Sequence, residues 1–507
     1  MVKWKRKILF WFLTISFLIT TPIIILQAKG YRFDINRGVF VYSGAITLKT
    51  NPQKINIKLN NKSINSKKLN ILNGSYNITG LIPGYYNMQV SADGFKTWNK
   101  RIAVHSGVAS EFWNILLTKN HYKRTTYNSL GVKNYFISPK NHFIAYTTTS
   151  NQGFTTKILD LNSPSENTEF NFPGWKFIGK IRKENIEWSP DESYISIPAQ
   201  KIDSSTIIQS ATNLTNTSSA QLKNINNYFI ANLDNKTFFN LNQLLSKKNI
   251  TNVRWDPNNK GYLFFLNKSL LYRVDVKNAD NITQIASNVS SYDLSSSGVY
   301  YIQRPNNLIF HNSLDGKANP TQITSKFPGP ENSIISKIIV YDNSRIALIS
   351  KSKDLYIFNQ GDHDTYFKKL EGGIEDIQFS NDGKKLLFWS TNEMSVYYLR
   401  DWDTQPMRLE DKTQNITRYS EPINNIQWFK DYEHVIFSTG PWIKIIELDS
   451  RDHKNCIDLI NTQLQKPIVI YNGYFEKLFF IDNSNNTTTL YSIIFPEKTS
   501  LFGLGGG

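Results

Sequence analysis

Carboxylates set inside short turns are the first residues in this sequence that could do chemistry. In IEWSPDESYISI (186–197) Asp191 follows Pro190, and in IQFSNDGKKLLFWS (377–390) Asp382 precedes Gly383. IQWFKDYEHVIFST (426–439) adds Asp431. A ring of such groups could hold a metal ion or work as acid and base. Yet the same place holds Lys140 after Pro139 in YFISPKNHFIAYTTT, Asn258 after Pro257 in VRWDPNNKGYLFFL, and Ser296 in YDLSSSGVYYI. A catalytic set does not tolerate that exchange, whereas a turn does. Asp and Asn accept hydrogen bonds from nearby backbone N–H groups, and Gly383 permits a tight turn. Pro139, Pro190, Asp191, Pro257, Asp382, Gly383 and Asp431 are therefore read as turn residues. Trp188, Trp255, Phe379 and Trp428, each just before its turn, are read as packing groups.

Other reactive constellations are missing from the sequence. It contains no G-x-S-x-G elbow, no H-E-x-x-H pair, no phosphate-binding glycine loop and no S-x-D-x-G-x-T-W box. The seven histidines are scattered. His434 beside Asp431 and Glu433, and His453 beside Asp449 and Asp452, come nearest to a metal cluster, and both are read as solvated loop charge. No catalytic residue, metal or cofactor is assigned. Cys456 is the single cysteine, so no intramolecular disulfide forms, and it is read as a small, partly buried packing residue.

The elements that carry these turns are strands. The chain has 26 Tyr and 31 Phe, is rich in Ile, Val and Thr, and shows almost no amphipathic helical stripe after residue 30. Eight copies of one unit run along it, including IVYDNSRIALIS (339–350) and IVIYNGYFEKLFFID (468–482). Their turns recur about every 40–50 residues, the period of propeller blades. One longer interval is accounted for by 201–226, a Ser/Thr/Asn-rich stretch of surface-loop composition. A lone four-stranded sheet cannot bury both faces, whereas sheets packed round a closed ring can. With its W-S-P-D and N-D-G turns, the span 121–497 resembles the TolB-type and WD-repeat-like propellers. The expectation is eight blades, or seven if the first and last copies share one, and a flexible tail at 498–507.

Ahead of the repeats stands MVKWKRKILFWFLTISFLITTPIIILQAKG, with Lys3, Lys5, Arg6 and Lys7 before an uncharged run from Ile8 to Leu26. Nineteen residues at 1.5 Å rise span ~28 Å, the thickness of the hydrocarbon layer. The basic flank keeps that end cytoplasmic. Leu26-Gln27-Ala28 is a poor cleavage site, so residues 1–29 are read as a transmembrane signal-anchor and 30–44 as a juxtamembrane segment. The bulk of the chain is then extracytoplasmic.

Between anchor and repeats, 45–118 alternates apolar and polar residues, as in INIKLNN, and breaks at turns such as Pro83-Gly84. The order Pro52, Pro83-Gly84, Tyr86, then Gly94-Phe95 and Trp98 resembles the PEGA family of small envelope β-sandwiches, although the name-giving Glu, Gly and Ala are replaced by Gln53, Lys54 and Ile55. The resemblance implies a non-catalytic spacer or interaction module. Its only acids are Asp93 and Glu111 against nine Lys/Arg, a balance read as a solvated basic face or a contact with anionic headgroups or wall polymer.

The fold class expected is thus all-β: a transmembrane helix, a small sandwich, then a seven- to eight-bladed propeller. The function expected is that of a non-enzymatic, membrane-anchored bacterial envelope protein binding a protein or wall glycan. The chain's net charge of +17 would also suit nucleic acid, but no recognition helix, zinc finger or RNP pattern accompanies it. An enzyme acting on envelope glycans through a propeller channel is the alternative. Carboxylates, His and Arg converging in the channel would favour it, whereas Ser, Asn and aromatics would favour binding.

Overall fold

The computed structural model describes residues 3–64, 68–70, 73–163, 167–180, 184–202, 226–484 and 486–496. Most of the 201–226 stretch and the 498–507 tail lie outside these residues. Lys3–Ala28 form one helix, whose Pro22 costs a single backbone donor. Within Trp4–Ala28 the most apolar 18 residues have a mean hydropathy of 2.3 and are wholly uncovered. At ~1.5 Å per residue this helix is long and apolar enough to cross a membrane. A hairpin of Tyr31–Asp34 and Val39–Tyr42 follows directly.

Residues 44–116 form two four-stranded sheets. One has the order 109–116, 44–51, 75–81, 68–70, with its first pair parallel, and the other 62–63, 56–59, 84–91, 98–104. Strict alternation buries one face of each, and Ile46, Leu48, Ile57, Met88, Val90, Trp98, Ile102 and Phe112 share the core between them.

Among the described residues the remaining strands make eight antiparallel sheets, each a meander of strands consecutive in the chain except the last. Their first strands are 134–137, 187–188, 250–255, 289–295, 335–342, 376–379, 423–428 and 469–472, the second sheet carrying an additional strand, 175–177. Every repeat copy falls on the first hairpin of its own sheet. Because the second strand of each hairpin carries apolar residues on both faces, each sheet shares one buried cluster with the sheet before it and another with the sheet after. Phe136, Phe170 and Ile197 join the first to the second, and Leu387, Val396 and Val435 join the sixth to the seventh. Tyr135, Ile144, Phe479 and Leu490 join the eighth back to the first.

A strand exchange also joins the two ends of the array. Thr125–Thr126, ahead of the first sheet, pairs with 491–492 as the outermost strand of the eighth. Gly131 N–H and Tyr127 N–H add bonds to Thr488 O and Leu490 O at 2.9 and 3.1 Å. The architecture is a β-propeller.

Candidate functional site

Two places gather charged side chains: the inner ring of first strands and the junction of the sandwich with the propeller. The inner ring follows from the repeat itself. The residue just before the packing side chain of each turn (Trp188, Trp255, Leu294, Phe379 and Trp428) reaches a neighbouring first strand, and in these five copies it is Glu187, Arg254, Asp293, Gln378 and Gln427. Glu187 Oε2 accepts from Trp255 N–H at 2.9 Å, while the Trp255 indole N–H donates back to Glu187 O at 3.0 Å. Four sheets on, Gln378 and Trp428 repeat this two-point clasp at 3.2 and 3.1 Å. Gln427 Oε1 accepts from Tyr471 N–H at 2.7 Å, and Asp293 Oδ2 from Val340 N–H at 2.9 Å.

Arg254 bridges the second and fourth sheets, bonding Glu187 on one side and Asp293 (3.1 Å) on the other. Burial pushes the Glu187 carboxyl above its usual range and Arg254 pulls part of that back, while Glu187 and Asp293 hold the guanidinium charged. Lys337 and Asp376 pair at 2.7 Å further round. Among the clasp residues Glu187, Arg254 and Asp293 thus form a charged arc and Gln378 and Gln427 an amide one, with no histidine in either set.

The turns lie at one mouth of the ring. Asp191 accepts from Ser189 Oγ and Ser193 Oγ at 2.7 and 2.8 Å, and Asp382 from Ser380 Oγ and Lys384 N–H at 2.5 and 3.0 Å. Gly383 sits at φ +66°, and a Cβ there would meet the Tyr341 ring at 2.4 Å. That position needs glycine. Pro139, Pro190 and Pro257 come together with Trp188, Trp255 and Glu187 around a shallow apolar dish. Trp188 lies parallel to Phe143 at 6.0 Å, Trp255 packs on Tyr194, and Trp428 on Tyr432. Phe379 is less covered and leans on Tyr341.

Asp431 departs from the solvated reading. It accepts from His434 Nδ1 (2.8 Å), His434 N–H and Glu433 N–H, and His434 is only 5% exposed. Burial opposes the imidazolium, but Asp431, Glu447 and Glu433 outweigh it and raise the His434 pKa. Asp431 is lowered, burial being outweighed by His434 and the turn N–H groups. Glu433, buried beside it, takes both Lys385 and Arg408. His434 packs edge-on against Phe429 and lines a cleft shared with Trp98 and Phe112 of the sandwich. His453 is exposed, in keeping with the loop reading. Cys456 is exposed rather than partly buried, its Sγ 3.6 Å from Tyr419 OH, because it begins an outer strand. Among the described residues no group of three His, Cys, Asp or Glu could hold a metal ion.

The junction enlists part of the basic excess that had been read as a solvated face. Lys100 is fully buried and donates to Asp449 O (2.8 Å), Arg451 O (2.9 Å) and His453 O, with Glu447 at 2.9 Å. Trp98 Nε1–H donates to Glu447 at 2.9 Å, and Arg101 N–H to Asp452 at 2.9 Å. Arg451 stacks on Phe112, 3.8 Å from its centroid, and donates to Glu111 O at 2.6 Å. A cleft between the two bodies is lined by Trp98, Phe112, Trp113, Trp402, Pro406 and His434.

Within the sandwich, Tyr86 OH donates to Ile82 O beside Pro83-Gly84 at 2.8 Å, and Thr50 Oγ1 to Pro52 O at 2.7 Å. Gly94 turns at φ +80°, and Phe95 leans on the core.

No family model matches the chain, and no curated protein matches its sequence. Solved structures with similar arrangements include the β-propeller domain of Myceliophteria thermophila Cps50 (Swd1), at 11% identity and TM-score 0.37 over 74% of this chain and 99% of that one. A eukaryotic initiation factor structure gives 12% and 0.44 over 73% and 87%. Oligogalacturonate lyase in complex with manganese gives 11% and 0.33 over 81% and 83%.

Proposed function

We propose that this is a non-enzymatic, membrane-anchored protein of the bacterial cell envelope, whose extracytoplasmic, eight-bladed propeller presents a binding surface for a protein or wall glycan. The span from Trp4 to Ala28 is its anchor, with the basic end inside, and the PEGA-like sandwich is a spacer carrying the propeller. The domain limits are those of the repeats: 45–118 for the sandwich and 121–497 for the propeller.

One observation supports binding over catalysis most directly. Glu187, Arg254, Asp293, Lys337 and Asp376 are each engaged by a neighbouring first strand, so these groups are committed to holding adjacent sheets together. The turn carboxylates are likewise bonded to their own turns, which fits Asp191, Asp382 and Asp431 as structural residues.

Crosslinking in intact cells, followed by identification of the attached molecule, tests the reading. It predicts recovery of one envelope protein or a wall-glycan fragment through residues of the propeller, and loss of the C-terminal part when protease is added to intact cells. Cleavage of envelope glycan by the purified chain, abolished by Glu187→Gln or Arg254→Met, would overturn it in favour of a channel enzyme.

A further inference from the structure

The hairpin after the apolar helix carries an aromatic face that the described residues cover only in part. Its register sets Tyr31 opposite Tyr42 and Phe33 opposite Phe40, so alternation puts all four rings on one face. The rings associate in pairs, with centroids 5.2 Å apart in each. Phe33 and Tyr42 remain exposed, and so do Ile35 at the turn and Val39. A two-stranded hairpin is marginal in water, and a one-sided aromatic face needs a cover.

Position identifies the cover. The uncharged run ends at Leu26, and the hairpin starts five residues later, after the helix has ended at Ala28. Three residues of chain reach at most about 11 Å. The headgroup layer outside each face of the hydrocarbon is roughly 5–8 Å deep. Lys29 N–H and Gly30 N–H bond back to Ile25 O and Gln27 O, both at 3.0 Å, so the connection is far from that limit. If the helix spans a bilayer, the hairpin starts in or beside the headgroup layer.

It is also fixed there. Ser43 N–H and Oγ–H both donate to Gly30 O, at 2.9 and 2.6 Å, and Gly107 N–H donates to Ser43 O at 3.2 Å. Tyr42 lies against Gly30 and Gly107, both at positive φ, and a Cβ on either would come 3.0 Å from its ring. Arg32 closes over Gly80 and donates to Tyr31 O at 3.2 Å. Lys29, Arg32 and Arg37 add positive charge against the single, buried Asp34. Aromatic rings with a basic fringe are what the boundary between acyl chains and headgroups accommodates.

We infer that the Tyr31, Phe33, Phe40 and Tyr42 face is a second membrane contact, seated in the headgroup region of a phospholipid bilayer and setting the tilt of the sandwich above it. This rests on the anchor reading. The test uses the full chain with Cys456→Ser, in phosphatidylcholine vesicles containing a minority of phosphatidylglycerol. A polarity-sensitive dye is attached at Phe33→Cys or at Ile35→Cys, with Phe17→Cys in the helix and Leu130→Cys on the propeller as references. Position 35 is 85% exposed, so labelling there leaves the hairpin's packing intact. Dye at 33 and 35 is expected to shift to the blue and to be quenched by headgroup-proximal spin-labelled lipid several-fold more than at 130. Quenching at 17 with water-like emission at both 33 and 35 would overturn the hairpin contact and leave the anchor standing. Water-like emission at 17 as well would overturn both.

Discussion

The clasp between Glu187 and Trp255 and the clasp between Gln378 and Trp428 are one device built from different chemistry. Both set a side-chain oxygen on the next first strand's tryptophan N–H and return the indole N–H to their own carbonyl. One is a carboxylate that must be balanced by Arg254, with Asp293 on the far side of the guanidinium. The other is an amide and needs no counter-charge. The position therefore selects an acceptor of the right reach, and charge enters only where a neighbour supplies its opposite. Trp188 shows the third case. The corresponding residue on the sheet before it is Phe136, and the Trp188 indole N–H is buried with no acceptor among the described residues.

The sharpest way to break this equivalence is Arg254→Met, which leaves Glu187 and Asp293 facing each other. A loss of ~3 kcal/mol is expected, the low end for breaking a buried pair because water reaches part of Arg254. It would show as a lower midpoint in urea denaturation and shrink as the pH falls far enough to protonate Glu187. Gln378→Leu, on the amide arc, orphans the Trp428 N–H and should cost ~1–2 kcal/mol by the same assay, with no dependence on pH. Glu187→Gln turns the charged clasp into the amide kind. It keeps the bond to Trp255, so a change of ~1 kcal/mol is expected, and a larger loss would mean that the charge itself closes the ring.

The smallest effect lies at the mouth beside the amide arc. His434 has a raised pKa in the folded protein, so its contribution is fully present below its unfolded value of about 6.5 and is lost as pH rises through the folded one. Asp431 is lowered, so its contribution is present above about 3.8 and is lost as pH falls. Urea midpoints measured across this range should therefore decline on both sides. His434→Asn should flatten the upper decline and leave the behaviour of the clasps unchanged.

Where the sequence was legible, the reason is local. Ile-Gln-Phe-Ser-Asn-Asp-Gly carries its own strand, turn and return, so each copy of the unit marks its hairpin wherever the sheet comes to lie. The sandwich strands and the apolar helix are legible for the same reason, since alternation and an uncharged run need no distant partner. The closing strand was not legible, because Thr125–Thr126 is too short to carry a pattern and acquires its identity only from 491–492. His434 could not be told from a loop histidine, since the strand it begins and the cleft it shares with Trp98 and Phe112 are set by folding.

The sequence by itself determined the repeated β unit, the apolar helix and the chemistry available to each turn, because those follow from periodicity and residue type within a dozen neighbours. The tertiary structure alone decided which charges meet. Lys100 is one of nine basic residues in a basic stretch until folding sets it under the carbonyls of Asp449, Arg451 and His453. A buried charge is stable only with partners brought to it, and no local pattern in this chain records where they are.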